Sequence, residues 1–192
     1  MLNRLDQAIG PHHTIADDGW FRLLLEGSRD DYINQLVQTY GFEAPYEAAS
    51  AHTPGLAQVI DLRDRWRAGL IAQDLLSLGW SQHEIAAVRS SPITPFQDAA
   101  EALGWTYVVE RPTLMYREVR AELVARFIDL ARATTYLGAF AKVVNRRWAE
   151  LGIALDHVGQ SERAAERILD AAHAALEAKR DWVSVPMLHG AG

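Results

Sequence analysis

The sequence predicts an all-α protein, a single-domain bundle of seven or eight helices, and three observations carry that expectation. Nearly every long segment repeats its apolar residues with the helical period. No run of alternating β-branched residues offers a strand, and capping and stop signals recur between the periodic segments.

The elements follow in order. A short N-terminal helix comes first, and Asp17-Asp18 then precedes Trp20 to Leu25, where acidic residues suit the positive end of a helix dipole, with Gly27 as the stop. Ser28 to Asp31 opens a helix through Tyr32, Leu36, Val37 and Tyr40 that bends at Gly41 and Pro45 and ends near Ala51. After the turn at Thr53-Pro54-Gly55, residues 56–78 keep Val59, Leu62, Trp66, Leu70 and Leu75 on one face of a central helix, which Gly79 caps. Ser81 to Glu84 has capping-box spacing for a short helix, and Thr94-Pro95-Phe96-Gln97 opens one that reaches about Glu110. Pro112 forces a break, after which 114–135 and 136–151 read as helices. Ser161 caps the last long helix, to about Trp182. The helical domain is thus 1–183, followed by a frayed tail over 184–192.

Composition narrows the function classes. With no cysteine, disulfides, thiolate metal sites and cysteine nucleophiles are excluded, so metal chemistry falls to His, carboxylate, Met or Tyr. A net charge of -6 argues against nucleic acid as the main partner, since duplex binding needs a basic face. No apolar run approaches the roughly 18 residues that span a bilayer, and Asn3, Arg4 and Asp6 interrupt any signal-peptide core, so the expectation is no membrane and a cytoplasmic location.

Several patterns, in order along the chain, resemble the biliverdin-producing heme oxygenase family, most closely its bacterial, phytochrome-associated branch. They are His12 placed nine residues before Phe21, Phe21 to Gly27, Asp31-Tyr32, Tyr40-Gly41-Phe42-Glu43-Ala44-Pro45-Tyr46-Glu47, Asp74 to Gly79, Leu103 to Glu110, and the Trp148 region before an Ala-rich final helix. The resemblance implies heme held between a proximal helix bearing one His and a kinked distal helix. It implies cleavage of that heme to biliverdin, iron and carbon monoxide with oxygen and electrons from a reductase or ferredoxin, and a possible phytochrome partner. On that basis His12 is the iron ligand, with His13 beside it. Thr113 and Tyr116 lie on the distal wall, Met115 faces the cofactor, and Lys142 and Arg146 hold the propionates, with Arg147 and Arg4 as further candidates. An alternative for the histidine pair is a place at an exposed helix start after Gly10-Pro11.

The chain departs from the family where chemistry is most demanding. The family writes its distal segment Glu-Gly-Ser-x-Leu-Gly-Gly, because glycines let the backbone lie close to the porphyrin. Here the segment is Glu110-Arg111-Pro112-Thr113-Leu114-Met115-Tyr116. Three outcomes stand open: heme is displaced; Met115 or Tyr116 becomes a sixth ligand; or the helix turns so that Thr113 and Leu114 face the cofactor. The alternative function is therefore a catalytically inactive protein on the same scaffold, holding heme or another tetrapyrrole inertly or acting as an interaction or regulatory module. A di-iron site needs paired Glu-x-x-His motifs, and Asp170-x-x-His173 is a lone approach to one. His83, Glu84 and His157 are assigned no chemistry, and Trp66, Trp105, Trp148, Tyr40 and Phe42 are expected in the core or a pocket wall.

Overall fold

The structure, a computed structural model, describes residues 1–10 and 13–185; the side chains of 13–16 and 18 lie outside that description. Every regular element among the described residues is helical. They are α1 (Leu2–Ile9), α2 (His13–Leu25), α3 (Arg29–Ala51), α4 (Leu56–Val59), α5 (Ala68–Ser77), α6 (Gln82–Ala86), α7 (Ala99–Glu110), α8 (Tyr116–Arg126), α9 (Thr135–Phe140), α10 (Val144–Val158) and α11 (Glu162–Ser184), with 3-10 turns at Arg63–Arg65, Arg111–Met115 and Ile128–Ala133. No helix among them is long and apolar enough to cross a membrane.

Among the described residues eleven α-helices replace the expected seven or eight, and side chains drawn to distant partners account for the first of the breaks. The expected helix 56–78 breaks because Arg65 and Arg67 are buried and turn inward to acidic partners, which leaves Trp66 47% exposed instead of on the apolar face. The stretches 114–135 and 136–151 divide likewise at Phe127 and near Lys142. Asp98, not Thr94, caps α7: its side chain accepts from Glu101 N at 3.1 Å, and Glu101 Oε2 accepts from Gln97 N at 2.7 Å. Asp17 falls within α2, which begins earlier, at His13. The last helix runs to Ser184, so the tail expected from 184 lies almost wholly outside the described residues.

Other signals hold. Ser28 with Asp31 and Ser81 with Glu84 form reciprocal capping boxes, Ser161 caps α11, and Gly79 follows α5 at φ 98°. Pro45 sits within the hydrogen-bonded span of α3. Lacking an N–H, it leaves the carbonyl four residues back, that of Gly41, without its helical donor, and Ser91 N donates there at 2.8 Å.

Two apolar clusters share α3. One joins Phe42 and Tyr46 to α1, α4, α7, α10 and α11, with Leu103, Tyr107, Ile168 and Ala172 at its centre. The other joins Tyr32 and Leu36 to α2, α5, α8 and α9 through Trp20, Ile71, Tyr116 and Tyr136. The most extensively packed pair among the described helices is α7 with α11, and Gly104 lets their backbones approach. A Cβ at Gly104 would stand 2.4 Å from Ile168 O, 2.8 Å from Ala171 Cβ and 2.9 Å from Ala172 N. Backbone on the facing helix cannot swing aside, so Gly104→Ala should cost about 1–3 kcal/mol, read as a lower urea midpoint at unchanged slope.

Candidate functional site

A buried polar seam runs between the two clusters, and it is the chemically densest part of the molecule. Glu43 projects from α3, between Phe42 and Tyr46 of one cluster and Leu36 of the other. Arg67 Nε lies 3.0 Å from Glu43 Oε2, and these side chains are 2% and 5% exposed. The pair is off the axis of a hydrogen bond, so the attraction is mainly that of two charges. Arg67 Nη2 donates to Val109 O at 3.3 Å, and the guanidinium lies 5.5 Å from the Phe140 ring centroid.

The hydroxyl chain beside this pair has a fixed direction when Glu43 is ionised. Tyr136 donates to Glu43 Oε1 at 2.8 Å, so its one proton is used. Tyr116, 2.6 Å from the Tyr136 hydroxyl, must then be the donor between them. The Tyr116 ring packs on Trp20 with centroids 4.9 Å apart and on Tyr136 at 5.1 Å.

The neighbouring acids hold helix starts. Glu47 Oε1 accepts from Arg67 N and from Ala68 N, capping α5 from α3. Asp74 accepts from Thr135 N at 2.9 Å and Tyr136 N at 2.8 Å, capping α9 from α5. On the other side Arg65 pairs with Glu110 at 2.5 Å and donates to Arg147 O at 3.0 Å. Burial pushes the Glu43 carboxyl up to about 7, because loss of water outweighs the attraction of Arg67. Burial likewise raises Asp74 and Glu47 against the backbone N–H groups that favour their charge. Burial opposes the Arg67 charge, yet Glu43 holds it above the ordinary arginine range.

A narrow cleft opens beside the seam. Trp20 from α2, Thr39 and Glu43 from α3, Pro112 and Tyr116 around the start of α8, and Lys179 from α11 line it. Its free interior is about 20 Å³, room for one water molecule.

The sequence-expected residues distribute unevenly around it. His12 lies outside the described residues. His13 begins α2, and its side chain is likewise outside them. Pro112 does break the chain: α7 ends at Glu110, and the 3-10 turn Arg111–Met115 leads into α8. Thr113 is buried, donating from Oγ1 to Glu110 O at 2.6 Å, while Leu114 is 45% exposed. Met115 is partly buried against the second cluster and Tyr116 fully buried. Arg146 is exposed and paired with Asp64 at 3.1 Å and Glu150 at 2.7 Å; Lys142 is exposed. Arg4 pairs with Glu162 at 3.0 Å, and Arg147 packs over Phe140 at 4.5 Å. Asp170, His173, His83 and His157 are exposed, and no group of three or more His, Cys, Asp or Glu able to hold a metal occurs among the described residues.

Glu43, Arg67, Tyr136 and Lys179 were not singled out from sequence. A signal was present for Glu43, an acid between apolar neighbours on the buried face of α3; Arg67 closes the charged run Asp61 to Arg67, where nothing local distinguishes it from its solvated neighbours. No family model, no curated protein and no solved structure matches this chain.

Proposed function

We propose that this chain is a non-catalysing binding protein on a heme oxygenase-like plan, a regulatory module and not an oxygenase. The carrying observation is Tyr116. At the position where the resemblance calls for a glycine beneath heme, a fully buried phenol stacks on Trp20 and is hydrogen-bonded to Tyr136. The crevice left beside it has space for one water, far short of a macrocycle. Hemin titration of the wild-type chain should give no saturable Soret shift. Met115→Gly with Tyr116→Gly, which removes the obstructing bulk, should bind hemin better than wild type.

A second reading, oxygen-dependent cleavage of heme to biliverdin, iron and carbon monoxide, is favoured by one observation. The two helices that the resemblance assigns to the two faces of heme, α2 and α8, are neighbours in the fold. In that reading His12 ligates iron, Thr113 and Tyr116 form the distal wall, and a reductase or ferredoxin supplies electrons. It predicts that wild type plus hemin, reductant and oxygen loses its Soret band as biliverdin absorbance grows. That outcome would overturn the first reading.

A further inference from the structure

We propose that the cleft lined by Trp20, Glu43 and Tyr116 is a binding site for a small organic ammonium ion, kept closed by Lys179, whose own ammonium the ligand displaces. The inference rests on the reading of the chain as a binding protein and names the class of ligand it takes.

The walls set the charge of the occupant. Trp20 and Tyr116 present aromatic rings, and Glu43 presents a buried carboxylate. Behind them stands a second buried carboxylate, Asp17, at 1%. Desolvated carboxylates favour a cation over an anion or a neutral molecule, and the aromatic rings give its alkyl part an apolar wall. Among the described residues, the one cationic residue lining the cleft is Lys179, with Nζ 2.7 Å from Asp17 Oδ1. Arg67 meets Glu43 from the seam side and is not part of the lining.

Lys179 is suited to be displaced. It reaches in on a flexible four-carbon stem from near the end of α11, and holding that stem in one geometry costs rotamer freedom. A free alkylammonium brings the same charge and three donors without ordering the protein's own chain. The rim can yield as well. Gln35 lies directly over Gly19, where a Cβ would fall 1.9 Å from its Oε1, and its amide is tied to Thr39 by a single long contact of 3.4 Å.

The test uses the full chain and n-butylammonium chloride, followed by calorimetric titration and tryptophan fluorescence, with sodium chloride at equal ionic strength and 1-butanol as the uncharged isostere. Lys179→Ala should bind n-butylammonium at least about tenfold more tightly than wild type, because the tethered competitor is gone. Butanol and sodium chloride should give no saturable signal. Adding Asp17→Asn, or Glu43→Gln should the former not fold, should abolish the gain. Should Lys179→Ala not fold, Lys179→Met, which keeps the stem and removes the charge, should bind methylammonium in its place. Absence of saturable binding to the Lys179 variant, an equal response to butanol, or binding unchanged by loss of the acid would each overturn the proposal. Hemin exclusion is read in a separate titration, so this site and the broader reading can fail independently.

Discussion

Arg67→Met should lower the free energy of unfolding by about 3–5 kcal/mol, because it removes one partner of a buried ion pair and leaves Glu43 without its counter-charge. Urea unfolding at pH 5 and pH 7.5 measures both the loss and its pH dependence. The folded-state pKa of Glu43, about 7, lies above its ordinary 4.5, so the folded protein holds this proton longer than the unfolded chain does. Stability from Glu43 is therefore full below about pH 4.5 and is lost as pH rises through 7. In Arg67→Met the main attraction on the carboxylate disappears, the pKa climbs further, and the loss extends to higher pH. Glu43→Gln should flatten the same slope, leaving the shares of Asp74 and Glu47, whose pKa values are raised too. A slope unchanged in Glu43→Gln would assign the pH dependence to those other acids.

Tyr116→Ala should cost a further class of large loss, about 3–5 kcal/mol, since it deletes a fully buried aromatic ring that touches Trp20, Tyr136 and Phe140. Tyr116→Phe keeps the ring and removes one donor, so only about 1 kcal/mol should go. The pair separates packing from hydrogen bonding at one position. Equal losses in the two variants would mean that the hydroxyl chain to Tyr136 and Glu43, not the ring, carries the stability at this position.

The all-helical class and most helix starts were legible because they are written locally. Ser28, Ser81 and Ser161 act within three residues of their own positions, and periodicity exposes α3, α7 and α11 without knowledge of their partners. The broken stretch 56–78 was not legible. Its apolar spacing suits a helix, and what interrupts it is a set of contacts 20 to 45 positions away, from Arg65 to Glu110 and from Arg67 to Glu43 and Glu47. The bulky residues Met115 and Tyr116 after Pro112 were plain in the sequence, but where the bulk of Tyr116 goes was not. That depends on Trp20 and Tyr136, brought together from other helices. Lys179 was hidden among charges of an amphipathic helix, where most are solvated, and burial against Asp17 distinguishes it only once α2 and α11 are adjacent.

The proline within α3 gives an irregular part of the chain its address. A complete helix offers no spare acceptor along its length, yet here one turn presents the Gly41 carbonyl sideways, and the strandless run after α6 is moored there through Ser91. A residue usually regarded as a helix defect therefore acts as a docking cleat: the imperfection in one element supplies the anchorage that its neighbour, having no periodic bonding of its own, could not provide for itself.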